Sequence, residues 1–166
     1  MIGTYRNCAG IVVFNDEGKV LMCTRRDKSG NQWQFPQGGI EKGERPSQAA
    51  LRELKEETSI TSAKIIFSMP HPLIYNFPPY IRESLLAKGR TNIGQKMYWF
   101  LLHFEGDNSE INLETNEPEF RTFEWANISD APKRIIYFKR AVYMKACKTF
   151  EPHIKSFLEK HKPHLN

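Results

Sequence analysis

A chain of 166 residues that is 40% hydrophobic and 12% aromatic has the length and apolar content to bury a core, which excludes intrinsic disorder. Its net charge of +5 coexists with a strongly acidic stretch, so basic residues concentrate elsewhere and suit a polyanionic ligand. Cys8, Cys23 and Cys147 form no closely spaced pair and Ile11 to Phe14 is the longest early apolar run, so disulfides, a zinc site, a signal peptide and a membrane span are not expected and a cytoplasmic location follows.

In chain order, Cys8 to Asn15 is an apolar, β-rich run closed by the turn Asn15-Asp16-Glu17-Gly18 and answered by Lys19 to Thr24, which reads as a hairpin. Asp27 to Gln32 is a polar loop around Gly30, and Trp33 to Phe35 is a short extended piece stopped by Pro36. A glycine-rich turn at Gly38-Gly39 leads to a helix whose first turn suits Pro46 and whose body, Ser47 to Glu57, is mostly good helix formers. Ala63 to Met69 is a strand. Residues 70 to 94 contain Pro70, Pro72, Pro78 and Pro79 and read as a long connection with little regular structure.

Lys96 to Phe104 is strongly β and Arg121 to Trp125 is a further strand. Ser129 begins a turn. From Phe138 to about Lys160, Val142, Ala146, Phe150 and Ile154 recur every four residues, a helical period that Pro152 is expected to divide or kink. No repeat, low-complexity segment or linker splits the chain, so one domain over residues 1–166 is expected. Mixed strands and two principal helices imply an α/β fold with a sheet between helices.

The acidic stretch carries the chemistry. At about 100° per residue, Glu53, Glu56 and Glu57 fall within an arc of roughly 100° on one helix side. Like charges three and four apart cost about 0.2–0.5 kcal/mol per exposed pair. Crowded inward at about 6 Å, the repulsion approaches ~3 kcal/mol per pair at an effective dielectric near 20. A hard divalent cation with oxygen ligands removes that penalty. The competing reading is a solvated helix face in which Arg52 and Glu56 form an ordinary stabilising pair.

The full register decides between them. Gly38 is followed after five residues by Glu44, then after seven by Arg52-Glu53-Leu54, a spacer, Glu56-Glu57, a spacer, Ser59 and Ile60. This resembles the Nudix box of nucleoside-diphosphate-linked hydrolases, with Ser59 where that family has Gly at the turn after the helix. The segments WQFPQGGIEKGE, GQKMYWFLLHF, EPEF and FKR extend the resemblance over roughly residues 5 to 150, to the branch of bacterial RNA pyrophosphohydrolases and plant-type diadenosine tetraphosphate hydrolases. Met97 stands where that branch usually has Gln. The resemblance implies an α/β/α sandwich with a mixed sheet.

It also implies roles. Glu53, Glu56 and Glu57 match the metal-binding carboxylates, joined by the carbonyl of Gly38 and by Glu119, to hold two or more Mg²⁺ ions, with Mn²⁺ as the alternative. Glu53 is expected to be the general base. Glu44 and Arg52 match bracing positions. Arg6, Arg26, Gln95 and Lys139 match contacts to a nucleotide and its phosphates, Phe138 a base-stacking ring with Arg26 on the other face, and Tyr75 a tyrosine at the cleft edge. Without the resemblance, these cations would read equally as solvated surface groups and these aromatics as packing residues. His71 and His103 read as structural.

The chemistry so implied is hydrolysis of a phosphoanhydride in a nucleoside 5′-polyphosphate by a monomeric enzyme. Conversion of 5′-triphosphorylated RNA to the monophosphate is the leading expectation. Cleavage of diadenosine tetraphosphate to ATP and AMP is the alternative, and a binding module without catalysis is the third.

Overall fold

The computed structural model describes residues 3–28 and 32–162. Gly30, within the expected polar loop, and the extreme ends of the expected 1–166 domain lie outside the described residues. Strand β1 (Thr4–Phe14) turns through Gly18, at φ 78°, into β2 (Val20–Arg25), with Phe14 opposite Val20. The side-chain oxygen of Asn15 secures this turn by accepting from the backbone N–H groups of Glu17 and Lys19, each at 3.0 Å. The expected hairpin is therefore present.

Strand β3 (Trp33–Gln34) pairs with β2, and Gln37–Gly39 forms β4 antiparallel to β1, with Cys8 opposite Gly39. The glycine-rich stretch is thus a strand bound along β1. Beyond the helix α1 (Pro46–Thr58) come β5 (Ala63–Ser68), β6 (Leu73–Asn76), the helix α2 (Pro79–Ala87) and the long β7 (Asn92–Phe104). β7 runs parallel to β1 and carries β5 and β6 antiparallel on its other side. β8 (Phe120–Ala126) pairs with β2, so all these strands belong to one mixed sheet.

Helices α3 (Ala131–Arg134) and α4 (Arg140–Lys160) close the chain, preceded by a 3₁₀ turn at Tyr137–Lys139. Alternation along β1 sends Cys8, Val12 and Phe14 to the core under α4 and Ala9, Ile11 and Val13 to the core under α1. A sheet buried on both faces between helices is the expected α/β/α sandwich. Gly10 is required at its position because a methyl there would lie 2.6 Å from the Trp99 ring. Met97, at 1% exposure, packs in the α4-side core.

Two expectations need correction. Residues 70 to 94 are not an irregular connection: they hold β6 and α2. Pro78 and Pro79 initiate α2, because a first-turn proline supplies the helical φ and its missing N–H would be unpaired there in any case. Pro152 does not divide the last helix, which runs unbroken from Arg140 to Lys160. Burial of Val142, Ala146, Phe150 and Ile154 along one face outweighs the single backbone bond lost at the proline. Among the described residues no helix is long and apolar enough to cross a membrane.

Candidate active site

The site lies where β1, β4, β6 and β7 meet α1, around a cavity of about 680 Å³. Its acidic wall follows from how α1 is started and stopped. Pro46 opens the helix, and the N–H of Arg45 donates to the Gln48 side chain at 3.0 Å. Ser59 ends it in the left-handed region at φ 69°, its N–H donating to Lys55 O and its hydroxyl to Asn112 O at 2.8 Å. Ser59 thus takes the left-handed turn at the position where the Nudix pattern has Gly.

Ala49, Ala50, Leu54 and Thr58 are buried against the sheet, and the same face carries Glu57 inward to 3% exposure. Both carboxylate oxygens of Glu57 are buried without a hydrogen-bond partner. Burial, then the like charges of Glu119 and Glu53, push this carboxyl well above its ordinary range. Burial also raises Glu53, which the hydrogen bond from Arg52 partly offsets.

Glu53 lies against Gly38, where a methyl group would fall 1.9 Å from its Cδ. Gly39 is occupied in the same way by Arg6, whose Nη2 would be 2.4 Å from such a methyl. Because successive strand positions face opposite sides, the two adjacent glycines of β4 seat an acid on one face and a base on the other. Arg52 braces this wall. It donates to Glu44 at 2.7 and 2.9 Å, to Glu53 at 2.8 Å, to Glu56 at 3.1 Å and to the carbonyl of Gly39 at 2.8 Å. In return the guanidinium holds Glu44 down to about 2.

Glu53, Glu56, Glu57 and Glu119 all line one depression beside α1, and Glu53 and Glu119 also face the main cavity together with Gly38. Glu56 is the outlying member, its side chain 57% exposed. Among the described residues no three acidic, imidazole or thiol groups stand close enough to form a ready cage for an ion. Glu119 stands beside Glu57, and Arg52 is the cation between Glu53 and Glu56. The donor set nonetheless fits a hard divalent ion: carboxylate oxygens, two of them buried and unpartnered, beside a backbone where no Cβ intrudes.

The opposite wall is basic and aromatic. Arg6, Gln95 and Tyr75 form a row across β1, β7 and β6, since Gln95 is the register partner of both others. Tyr75 donates to Gln95 Oε1, which also accepts from Gln37 at 3.3 Å. Phe138 lies 6.0 Å from Tyr75 and 6.5 Å from Phe77, centroid to centroid. Lys139 is 8% exposed, with its ammonium 5.8 Å from the Tyr75 ring centroid and in no ion pair among the described residues. Burial, and then the charge of Arg25, push it down to about 8. Arg26 also lines the cavity but is held by Glu114 at 2.6 Å, and its N–H donates to Glu119 O at 2.8 Å. His103 bonds Asp16 at 2.7 Å, away from this cavity.

Several lining groups were not singled out from the sequence: Arg25, Gln34, Gln37, Phe77 and, from α2 and beyond, Ile81, Leu85, Lys88 and Arg90. Arg25 ends β2, and its pairing skips Arg121 of β8 to reach Phe120, a cross-strand arrangement that no one-strand pattern reveals. The α2 residues fell within a segment read as irregular. The prolines at 78 and 79 were the available signal.

A NUDIX domain model matches residues 4–146. The chain is 42% identical over 152 residues to an RNA pyrophosphohydrolase of Roseobacter denitrificans, covering 90% of this chain and 94% of that protein. It is 39% identical over 155 residues to the chloroplastic Nudix hydrolase 26 of Arabidopsis thaliana, covering 91% and 71%. In fold it is similar to the E. coli dihydroneopterin triphosphate pyrophosphohydrolase, with a TM-score of 0.69, 23% identity and coverage of 90% and 99%. It is also similar to a C. elegans Ap4A hydrolase, with a TM-score of 0.63, 20% identity and the same coverage.

Proposed function

The chain belongs to the Nudix hydrolase family, and from that premise we propose that it is an RNA 5′ pyrophosphohydrolase that trims a 5′-triphosphorylated end to a monophosphate. The observation that carries this reading is the pairing of walls. Carboxylates border one side of the cleft, and Arg6, Arg25 and Lys139 border the other, with the aromatic Phe138 beside them. A polyphosphate bearing a base needs both.

Enzymes of this family work with divalent cations. In this chain Glu53, Glu56, Glu57, Glu119 and the Gly38 carbonyl would hold two or more, with Mg²⁺ as the assigned metal and Mn²⁺ as its substitute. Such ions, when bound, neutralise phosphate oxygens and acidify water. Glu53 takes the proton of the attacking water: of the three α1 carboxylates it is the one that faces both the depression and the cleft, and it lies against the Gly38 backbone. Water adds to phosphorus, the P–O bond joining the first and second phosphates breaks with its electron pair staying on the departing oxygen, and the products are pyrophosphate and the 5′-monophosphate end. Arg6 and Lys139 hold the outer charge, Gln95 and Tyr75 fix the nucleotide, and Phe138 stacks on a base, with Arg26 reaching it from the other side. Arg52 and Glu44 keep Glu53 in position without touching substrate.

A second reading, cleavage of diadenosine tetraphosphate, is favoured by one feature. The depression outside α1 is open beyond the carboxylates and has room for a further group joined through phosphate. A module that only binds is disfavoured by the presence of all four carboxylates and by their unrelieved repulsion. As further assignments, the chain acts as one domain and as a cytoplasmic monomer, a setting in which its three buried, unpaired cysteines stay reduced. Parallel Mg²⁺-dependent turnover of triphosphorylated RNA and diadenosine tetraphosphate is the test. A higher kcat/KM on the RNA supports the assignment, and a large preference for the dinucleotide reverses it.

A further inference from the structure

Among the described residues six cations line the main cavity, and they divide by what they touch. Arg25 is paired with Asp27, and Arg26 with Glu114. Arg6, Lys88, Arg90 and Lys139 are in no ion pair among the described residues. Arg6 and Lys139 lie in the inner part of the cleft. Lys88 and Arg90 stand elsewhere, exposed at the end of α2.

α2 is carried on an arm. Asn76 pairs with Gly94, and the N–H of Phe77 donates to Ile93 O at 2.8 Å, which closes a neck between β6 and β7. Residues 78–92 project beyond it. Their helix buries no residue, and Ile81 and Leu85, one turn apart, face the cavity. At the end of the helix Gly89 takes the left-handed region at φ 76°, with open space where a Cβ would stand. The N–H of Arg90 donates back to Leu85 O at 2.8 Å. That turn sets Lys88 and Arg90 on either side of the glycine, at the rim of the cleft. Glu83, the acidic residue of α2, does not line the cavity and pairs with neither cation among the described residues.

The strand register measures how far this rim is from the acidic wall. Gly38 is opposite Ala9, whereas Asn92, which follows the arm, is opposite Thr4. Five residues of β1 separate the two positions, ~16 Å at ~3.3 Å per residue. A triphosphate anchored at Gly38 and Glu53 ends short of that distance. The anion that meets Lys88 and Arg90 is therefore a later one, beyond the nucleoside in the cleft. Diadenosine tetraphosphate has no such anion, since all its phosphates lie between its two nucleosides. An RNA chain has one at every nucleotide.

Resting on the assignment to triphosphorylated RNA, we propose that Lys88 and Arg90 hold backbone phosphates of the RNA chain as it leaves the cleft along α2. Phosphate contacts of this kind set position and carry no base preference. The rim thus favours a chain over a dinucleotide by charge alone.

The test is kcat/KM as a function of salt for wild type and for the double variant Lys88→Gln, Arg90→Gln. The substrates are a nucleoside triphosphate, triphosphorylated RNAs of two, four and eight nucleotides in two base sequences, and diadenosine tetraphosphate. Each phosphate contact to a single strand contributes about 0.7 to the slope of log affinity against log salt, so the variant's slope on the octamer should be shallower by about 1.4. Between 50 and 200 mM salt, wild type then loses about sevenfold more than the variant. Both base sequences show the same change, and turnover of the nucleoside triphosphate and of the dinucleotide stays at the wild-type rate. An unchanged slope on the octamer, an equal loss on every substrate, or a loss confined to one base sequence overturns the rim site while the RNA assignment stands. Wild-type turnover of diadenosine tetraphosphate with none of any triphosphorylated RNA removes both together.

Discussion

The acidic wall of the cleft, carried by α1 and β4, and the basic-aromatic wall, carried by α2, β6 and the Tyr137–Lys139 turn, are held in different ways. α1 buries Ala49, Ala50, Leu54 and Thr58, and Arg52 ties three of its neighbouring carboxylates and a β4 carbonyl into one network. α2 buries nothing, and Lys139 is sunk beside Tyr75 without a counterion among the described residues. The comparison teaches where each kind of work is done. Groups that must stand at fixed separations for bond breaking are braced before substrate arrives. On the other wall Arg25 and Arg26 are paired with Asp27 and Glu114, and Lys139 is the buried cation whose partner a bound anion would supply.

The largest effect should come from the braced wall. Glu53→Gln and Glu57→Gln are expected to lower kcat on triphosphorylated RNA by roughly 10²–10³-fold, the scale of losing one preorganised charge-stabilising group, with circular dichroism unchanged. The metal-free Glu57→Gln protein should also melt higher than wild type, because a neutral amide removes the cost of burying a carboxylate and, after it, the repulsion with Glu119 and Glu53. Near-normal kcat in both purified variants would refute the acidic wall as the seat of the chemistry.

Next, Arg52→Lys tests whether the brace matters. An ammonium cannot reproduce the fork that reaches Glu44, Glu53, Glu56 and the Gly39 carbonyl together, so activity should drop about 10–100-fold. A loss confined to Tm, with kcat intact, would make Arg52 a stabiliser alone.

The gripping wall should show a trade. Lys139 is held down to about 8, against 10.5 for a free lysine, so burying its charge opposes folding. That opposition is fully present below pH 8 and disappears as pH rises from about 8 to 10.5, where the unfolded chain binds the extra proton. Lys139→Met should therefore raise unfolding free energy at pH 7 by something on the order of 3 kcal/mol, discounted for lost packing, while weakening nucleotide binding. In wild type, calorimetric affinity for AMP should fall as pH passes 8, and the variant should show no such fall. An identical pH profile in both would remove Lys139 from the anion site.

The smallest effect concerns the helix stop. Ser59→Gly relieves a left-handed residue worth about 1 kcal/mol and loses a hydroxyl bond to Asn112 worth about the same. Its Tm should stay near wild type, while Ser59→Ala, which loses the bond and keeps the strain, should melt lower. Equal melting of Ser59→Ala and wild type would show the Asn112 bond to be idle.

How far the site was legible in the chain differs between these walls in the same sense. While Glu44 and Arg52 were placed by the resemblance to the Nudix box, Glu53, Glu56 and Glu57 are three and four residues apart on one helix, so spacing puts them on a common side. The hairpin at Asn15 to Gly18 and the period of the last helix were legible for the same reason. Arg25 and α2 were not. Arg25 is placed by the pairing of the end of β2 with β8, a long-range match, and a pair of prolines that starts α2 looks the same in sequence as one that ends regular structure. Pro152 misleads in the opposite direction, since the packed face of α4 carries the helix through it.

The acidic helix, the first hairpin and the period of the last helix follow from the chain alone, because they depend on periods of two and 3.6 and on neighbours within a turn or two. Folding in three dimensions was needed to bring Glu119 beside Glu57, to set Arg6, Gln95 and Tyr75 in one row, and to bury Lys139 without a counterion among the described residues. Those juxtapositions join residues tens of positions apart through strand register and helix docking, and no local pattern encodes a register that is set by the packing of both faces of a sheet.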